Sequence, residues 1–234
     1  MYKITFFIQT LQLTFTFIGL GAFMNVVFAQ PLEIVTKKKY YEKEVRKDGQ
    51  QKMVELKTLI PGIIYDLQYA TPNNFTGKKL YQQSRYTYLR LPAATALRQV
   101  QAELQQQGCG LMVFDAYRPY HVTKMMWDLI KDERYVANPA SGSGHNRGLS
   151  VDLTLVDLLT GKPLEMGTLF DNFTDTAHHG FKQLAPDVLR NRQLLKTTME
   201  KYGFRALSTE WWHYSWPNKN GFKVLDIDFR KLKD

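Results

Sequence analysis

Cysteine is almost absent from the sequence: Cys109 is the only one in 234 residues. A lone cysteine excludes a disulfide within the chain and a zinc site built from several thiolates. No cysteine follows the N-terminal apolar segment in the position where a lipoprotein would carry its lipid. A metal site, if the chain has one, must be sought among histidine and carboxylate side chains.

Acidic residues are also scarce, with 22 Asp and Glu against 31 Lys and Arg, and the formal net charge is +9 at pH 7. The sequence shows no basic helix and no basic stretch interleaved with aromatic residues, so we expect no nucleic-acid partner. A basic surface is drawn to the anionic polymers of a cell envelope. A solvated basic face without any partner is the simpler alternative.

One long apolar run occupies the N-terminus. Ile4–Phe28 is apolar apart from scattered polar residues, and it follows a positive charge at Lys3. Val27-Phe28-Ala29 then offers a site for signal peptidase, which predicts a signal peptide over 1–29 and a mature N-terminus at Gln30. The alternative is an uncleaved anchor, because the run is long enough to span a bilayer. Both interpretations predict an exported protein, periplasmic or extracellular, and cleavage would leave no stable membrane insertion.

The rest of the chain divides into two parts by composition. Residues 30–58 are rich in Lys and Glu, and we predict a partly flexible, charged extension outside the globular core. From residue 59 the pattern becomes that of alternating strands and helices. The chain is 44% apolar, which is enough for one substantial core. We therefore predict a single globular domain over 59–234.

The stretch 143–155, SGHNRGLSVDLTL, places a histidine and an aspartate on either side of a glycine. After Gly148 apolar and polar residues alternate, which predicts a strand. His145 and Asp152 are seven residues apart and would face opposite ways on a straight strand, so a turn at Gly148 is needed to bring them together. Such a pair can bind a divalent metal. A surface loop with a solvated histidine, followed by a strand, is the alternative for this stretch alone.

A second stretch, Glu210–Tyr214, pairs a carboxylate with a histidine three residues later, among aromatic side chains. His213 added to His145 and Asp152 gives Zn²⁺ three protein ligands and leaves one position for water. Glu210 is then free to accept a proton from that water. The alternative is a Trp-rich core strand whose Glu and His are satisfied by hydrogen bonds. A straight strand would also separate Glu210 from His213, so the site requires a bulge or a strand–turn junction.

Both stretches closely resemble the SxHxxGxAxDLT and ExWH signatures of the zinc D-alanyl-D-alanine dipeptidases. These belong to the wider family of D,D- and L,D-carboxypeptidases that cut peptidoglycan stem peptides. The likeness covers about residues 61–216 and includes further motifs in the same order: Tyr69-Ala70-Thr71, Asn74-Phe75-Thr76-Gly77, Phe114-Asp115-Ala116-Tyr117-Arg118-Pro119, and Met166-Gly167-Thr168 with Phe170-Asp171. The resemblance implies an α+β fold, a mostly antiparallel sheet flanked by helices, as in D-Ala-D-Ala peptidases and hedgehog-type zinc proteins.

The resemblance also assigns roles to residues outside the two metal stretches. Arg118 would stabilise the oxyanion that forms when water adds to the peptide carbonyl. An ion pair with Asp115 that braces the loop is the alternative for Arg118, and the two roles are compatible. Tyr69 would help to hold the substrate, although a place in the core or at its rim suits a tyrosine equally well. Ser143 would meet a substrate carboxylate through its backbone or its hydroxyl.

Asp171 is the residue that the resemblance places at the free ammonium group of a dipeptide. The charges agree with this role, because a fixed carboxylate attracts a free amino terminus and disfavours an acylated one. The alternative is an aspartate that caps a loop.

We therefore predict zinc-dependent hydrolysis of D-alanyl-D-alanine to two D-alanine, with one Zn²⁺ per chain, Glu210 as general base and Arg118 at the oxyanion. The partners would be this dipeptide or peptidoglycan fragments. One alternative is a D,D- or L,D-carboxypeptidase or endopeptidase that acts on longer stem peptides, which the short connection over 131–142 favours. Another is a zinc-binding module without catalysis, against which the presence of Glu210 and Arg118 argues.

Overall fold

The computed structural model describes residues 31–82 and 85–233, so the predicted signal peptide lies outside the described residues. The strands are β1 Ile34–Val35, β2 Met53–Glu55, β3 Ile64–Tyr65, β4 Tyr88–Arg90, β5 Cys109–Asp115, β6 Ser150–Asp157, β7 Arg205–Ala206, β8 His213–Ser215 and β9 Val224–Leu225. The α-helices are α1 Lys38–Lys47, α2 Leu56–Leu59, α3 Leu91–Gln105, α4 Tyr120–Ile130, α5 Pro186–Lys201 and α6 Phe229–Leu232. Within the described ranges we find no helix with the length and hydrophobicity that a membrane span requires.

The main sheet has five strands in the order β3-β5-β6-β8-β7. Only the β3–β5 pair is parallel, and the other three pairs are antiparallel. A further antiparallel pair joins β2 to β4, and a parallel pair joins β1 to β9. This arrangement confirms the predicted α+β class with a mostly antiparallel sheet.

The core lies between the sheet and its two long helices, because α3 packs on β5, α5 packs on β6, and the two helices contact each other. The central strand β6 is buried along nearly its whole length, with Val151, Leu153 and Leu155 fully inaccessible. Successive side chains of a strand point to opposite faces, so Asp152 and Thr154 lie on the other face. Burial of so many aliphatic side chains on one face fixes the register of the strand and, with it, the direction in which Asp152 points.

The charged segment before residue 59 packs on this core, which differs from the predicted flexible extension. Tyr41 of α1 is buried and its hydroxyl accepts a hydrogen bond from the backbone N–H of Met53 at 2.7 Å. Met53 and Leu56 are almost fully inaccessible. The many Lys and Glu residues of α1 obscured this apolar face in the sequence, because they occupy the remaining surface of an amphipathic helix.

A buried arginine holds this segment to the rest of the domain. Arg90, at the end of β4, donates hydrogen bonds to the backbone carbonyls of Gln51, Arg147 and Lys223. It thereby joins the N-terminal segment, the turn before β6 and the chain near β9. The compact unit accordingly begins at Pro31.

Strand β3 is short, and the chain leaves the sheet soon after it. Only Ile64 and Tyr65 pair with β5, and Gln68–Ala70 forms a 3₁₀ turn. The carbonyl of Tyr69 accepts hydrogen bonds from the backbone N–H groups of Leu80 and Tyr81, both at 2.9 Å. These hydrogen bonds to the loop at Leu80 and Tyr81 take the place of strand pairing. The Tyr69 side chain lines the pocket described next.

Candidate metal and catalytic site

The register of the sheet brings polar residues of three strands into one row. Asp152 of β6 lies opposite His213 of β8 on one side and opposite Asp115 of β5 on the other. Directly opposed side chains of neighbouring strands share a face and lie within about 5.5 Å of each other. An irregularity between Val113 and Asp115 shifts the β5 register and places Asp115 in this row. The row therefore lies on the face opposite to the aliphatic core.

His145 reaches the same row through the turn that the sequence predicts at Gly148. His145–Arg147 forms a 3₁₀ turn that ends at Gly148, whose φ is +68°. Glycine adopts this left-handed conformation without steric cost. A side chain at Gly148 would also meet the end of the Met53 side chain at 2.6 Å, so Met53 would have to move to make room for it.

His145, Asp152 and His213 point donor atoms at one position. His145 Nε2 lies 3.2 Å from His213 Nδ1 and 3.4 Å from Asp152 Oδ2, and His213 Nδ1 lies 2.9 Å from Asp152 Oδ1. Tetrahedral ligands at zinc distances are separated by about 3.3 Å. Among the described residues this is the group of three whose ligand atoms lie close enough to hold one metal ion. The structure thus brings together the predicted metal-ligand set.

The outer nitrogen of each histidine has a partner that orients the ring. His145 Nδ1 lies 2.7 Å from the carbonyl oxygen of Ala116. A carbonyl can only accept, so the proton lies on Nδ1 and the Nε2 lone pair is free for a metal. His213 Nε2 lies 3.0 Å from Ser215 Oγ, which in turn lies 2.7 Å from Ser150 Oγ. Both rings are therefore held in the orientation that a metal site needs.

Gly144 makes room for the serine pair. A Cβ atom at this position would lie 2.0 Å from Ser150 Oγ, although the φ of Gly144 is an ordinary −59°. Its glycine is required by packing rather than by backbone conformation. Ser150 and Ser215 were not singled out in the sequence, because only the β6–β8 register places them beside His213.

Removal of the Ser215 hydroxyl is expected to weaken zinc binding about 10–100-fold, as loss of partners behind metal ligands commonly does. The reason is that Ser215→Ala leaves His213 Nε2 without its hydrogen bond, and the ring is then free to turn. Competition with a chelator of known zinc affinity measures the change. Ser215→Thr retains the hydroxyl and should restore most of the affinity. Equal affinity in Ser215→Ala and the wild type would show that Ser215 does not orient the ligand.

The charge of the site suits a cation. Burial alone would raise the pKa of Asp152, but the charges and hydrogen bonds of His145 and His213 outweigh it, and the pKa lies below the usual aspartate range. Asp152 is therefore ionised at neutral pH. Two imidazoles and one carboxylate fit Zn²⁺ in chemistry as well as in spacing, and leave a position for a further ligand.

Glu210 lies beside the metal ligands at the strand–turn junction that the sequence required. Residues 211 and 212 form a turn, and β8 begins at His213. A Glu210 carboxylate oxygen lies 3.9 Å from His213 Nδ1, and the residue is 6% exposed. Burial, together with the negative charges of Asp152 and Asp171, raises the pKa of Glu210 well above the ordinary glutamate value. A raised pKa makes a carboxylate a stronger proton acceptor.

Arg118 follows β5 and is held by the ion pair that the sequence offered as an alternative. Its Nε and Nη2 atoms lie 2.9 and 2.8 Å from Asp115 Oδ2, and Nη2 lies 3.9 Å from Asp152 Oδ2. Burial would lower the pKa of Arg118, but Asp115 offsets that effect and the guanidinium stays charged. Tyr81 donates to the other Asp115 oxygen at 2.7 Å, which completes a buried network that the sequence did not reveal.

Asp171 and Tyr69 meet at the edge of the same pocket. The Tyr69 hydroxyl donates to Asp171 Oδ1 at 2.9 Å, while the buried Oδ2 has no hydrogen-bond partner among the described residues. Asp171 has a left-handed φ of +58°, which aspartate tolerates better than most residues. Burial raises the pKa of Asp171 to about 8 despite the Tyr69 hydrogen bond. An unsatisfied buried carboxylate at a pocket edge is suited to a cationic ligand group.

Ser143 lines the pocket, and its backbone N–H is already used. That N–H donates to Asn146 Oδ1 at 2.9 Å, and Ser143 Oγ accepts from the N–H of His145 at 3.1 Å. The hydroxyl proton is therefore the group that Ser143 can offer to a ligand. Asn146, to which the sequence assigned no role, is fully buried and also donates to the Arg118 carbonyl and to Thr123. It couples the metal turn to the arginine.

The pocket around these residues has a volume of about 180 Å³ and is small beside typical drug-sized sites of 300–1,000 Å³. Residues 133–137 line it, so the short connection after α4 does cover the site. Phe173 also lines the pocket and packs on Tyr135 and Phe75, with ring centroids 4.7 and 5.4 Å apart. These aromatic rings narrow the pocket on that side.

The other described histidines lie outside the group that could hold the metal. His121 is exposed and pairs with Asp226 at 2.6 Å. Among the described residues, His178 and His179 neither line the metal pocket nor belong to the metal-ligand set.

Comparison with known proteins shows the family of the chain. The model of the peptidase M15 family, described as D-ala-D-ala dipeptidase, matches residues 49–231. A D-alanyl-D-alanine dipeptidase of Escherichia coli is 37% identical over 177 residues, which cover 76% of this chain and 91% of that protein. Similar dipeptidases of Enterococcus faecalis and Streptomyces coelicolor are 35% and 33% identical, over 68% and 67% of this chain and 88% and 87% of their own lengths. The chain belongs to the D-alanyl-D-alanine dipeptidase family of zinc metallopeptidases.

Proposed function

We propose that this protein hydrolyses D-alanyl-D-alanine to two D-alanine, with one Zn²⁺ per chain bound by His145, Asp152 and His213. The observation that supports the proposal most directly is the convergence of these donors, Glu210 and Arg118 on one small pocket. A purely structural zinc site would need neither a free buried carboxylate nor a buried guanidinium beside the metal ligands.

Each side chain has a defined task in the proposed reaction. Zinc, when bound, supplies a Lewis acid that polarises the peptide carbonyl and makes water more acidic. Glu210 accepts a proton from the attacking water and delivers it to the nitrogen of the leaving D-alanine. Arg118, fixed by Asp115, faces the negative charge that develops on the carbonyl oxygen. Because Asp115 and Tyr81 already hold the guanidinium network, little reorganisation is needed during the reaction.

Asp171 supports a preference for a dipeptide with a free amino group. Its unpartnered Oδ2 can accept a hydrogen bond from an ammonium group. Low solvent exposure strengthens the interaction between the ammonium and the carboxylate. An acylated nitrogen carries no charge and would leave the carboxylate uncompensated. The aromatic side chains of Tyr135, Phe173 and Phe75 further restrict the space for a longer peptide.

D-Alanine release from free D-Ala-D-Ala and from its N-acetylated form tests this proposal. We expect rapid release from the free dipeptide and about 10–150-fold lower kcat/KM for the acetylated form, since a charge-assisted hydrogen bond contributes about 1.5–3 kcal/mol. Comparable cleavage of the acetylated form would instead indicate a carboxypeptidase for longer stem peptides. Failure to cleave either substrate by zinc-loaded protein would contradict the proposed function.

Asp171→Asn is the matched variant for this experiment, since asparagine also tolerates a positive φ. It should lower kcat/KM for the free dipeptide and leave that for the acetylated form nearly unchanged. The wild-type kcat/KM should rise between about pH 6 and 7.5, because the Asp171 carboxyl, with a pKa of about 8, becomes increasingly ionised while the substrate ammonium stays charged. In Asp171→Asn this part of the rise should disappear. An unchanged pH profile would exclude Asp171 as the ammonium site.

We also propose that the protein is exported, on the strength of the apolar segment and exit site within residues 1–29. An envelope location would place the enzyme near the peptidoglycan fragments that contain its substrate. Mass spectrometry of the N-terminal peptide of the protein from its native cell should find Gln30, or the pyroglutamate that it forms, as the first residue; an intact Met1 terminus would contradict cleavage.

A further inference from the structure

A second pocket lies behind strand β8, on the side of the sheet away from the metal ligands. Tyr214 follows His213 in β8, so its side chain points to the opposite face, where it is fully buried. There its ring packs on His179, with centroids 6.1 Å apart. His179, Lys182 and residues between 189 and 196 of α5 line a pocket of about 300 Å³. None of its lining residues lines the metal pocket.

The polar lining of this second pocket is almost entirely cationic or donor-bearing. It consists of His179, Lys182, Arg190, Arg192, Gln193 and Lys196. Lys182 and Arg190 are exposed and pair with no carboxylate in the part of the chain that the structure describes. Lys196 pairs with Glu200 at 2.7 Å, so one of the four formal positive charges is balanced nearby. No carboxylate in the lining balances the formal charges of Lys182, Arg190 and Arg192.

Three buried polar atoms around the pocket have no hydrogen-bond partner within the described residues. They are His179 Nε2, Arg192 Nη2 and the Tyr214 hydroxyl. Arg192 is 5% exposed, and its other nitrogens donate to the carbonyls of Met166, Thr176 and His178. The guanidinium is therefore fixed in place while one donor stays unsatisfied. These atoms have almost no accessible surface, so an anion in the pocket would act on the fixed Arg192 guanidinium through its negative charge rather than through direct contact with Nη2.

The pKa of His179 shows the same positive potential. Burial, together with the positive charges of Lys196 and Arg192, lowers it to about 4, against a small opposing effect of Glu200. Lys182 adds to the lowering. An anion in the pocket would offset these charges and raise the pKa of this imidazole.

We propose that this second pocket binds a phosphate group. A phosphate has oxygens on all sides and can accept hydrogen bonds from several surrounding donors, and guanidinium and ammonium groups are its usual protein partners. The pocket is open and larger than a free phosphate needs. It can therefore take either inorganic phosphate or a phosphate carried by a lipid or an envelope polymer.

Titration of the full protein with inorganic phosphate at constant ionic strength tests the site. The imidazole signals of His179, assigned with His179→Gln, should shift in a saturable way, and its pKa should rise above about 4. Lys182→Gln combined with Arg190→Gln should weaken binding at least about tenfold, because charge-assisted contacts are lost. Arg46→Gln with Lys162→Gln removes the same charge from elsewhere and should bind as the wild type does. Unfolding temperatures of both double variants verify that they fold.

Absence of a saturable shift would overturn the proposal, and so would equal weakening in the two double variants, because the effect would then reflect net charge. Vesicles of phosphatidylglycerol, compared with phosphatidylcholine, distinguish the sources of phosphate. Binding that is lost only in the pocket variant and is displaced by free phosphate would indicate a lipid- or polymer-borne group. Phosphate binding without vesicle binding would indicate a free anion.

Discussion

Glu210→Gln is expected to lower kcat for D-Ala-D-Ala by about 10²–10⁴-fold, the usual contribution of a positioned general base. Glutamine keeps the size of the side chain and its hydrogen-bonding capacity but cannot accept the proton of the attacking water. Glu210 is not one of the three predicted ligands, so zinc content should stay at the wild-type level. Steady-state kinetics on protein with measured zinc content give the comparison.

The zinc measurement separates a base from a structural residue. If Glu210 only supported the site, its replacement would lower zinc occupancy in parallel with activity, and added zinc would restore both. A variant that keeps its zinc and retains more than about a tenth of the wild-type kcat would contradict the assigned role.

Replacement of Arg118 is expected to have the second largest effect. Loss of one group that stabilises an oxyanion typically costs 10²–10³-fold in kcat, about 2.7–4 kcal/mol. Arg118→Lys keeps a charge but not the planar fork that binds Asp115 through two nitrogens, so its activity should lie well below that of the wild type. The effect should be concentrated in kcat rather than KM, because the charge on oxygen develops in the transition state.

Arg118 variants also disturb a buried ion pair, and this effect must be measured separately. Removal of the guanidinium leaves Asp115, which is fully inaccessible, without its main partner, and such losses often cost about 3–5 kcal/mol of stability. Arg118→Met combined with Asp115→Asn removes both charges and should recover much of the stability but none of the activity. Recovery of activity in this double variant would show that Arg118 acts only as a brace.

The metal ligands and the base could be predicted from the sequence because their motifs are local. The odd spacing of His145 and Asp152 required a turn at Gly148, and the spacing of Glu210 and His213 required a strand–turn junction. Both features are present. The β6–β8 register then pairs Asp152 with His213, which no local pattern specifies.

Residues whose partners are far away in the sequence could not be predicted. Tyr81 reaches Asp115 across 34 positions, and Ser150 meets Ser215 across 65, so neither pair leaves a short-range signal. The composition of the segment before residue 59 predicts a flexible extension because many of its residues are charged. Composition does not show that the apolar residues of α1 lie together on one side of the helix. Nothing in the sequence distinguishes Arg90 from the other basic residues, yet it is buried and joins three segments.

Zinc titration of metal-free protein, with D-alanine release from D-Ala-D-Ala measured at each point, tests the central claim most directly. Activity should rise with bound zinc and reach its plateau at one zinc per chain, and Asp152→Asn should bind far less zinc and release little D-alanine. Full activity without zinc, or zinc bound with wild-type affinity by Asp152→Asn, would contradict the assignment of His145, Asp152 and His213 as the catalytic metal site.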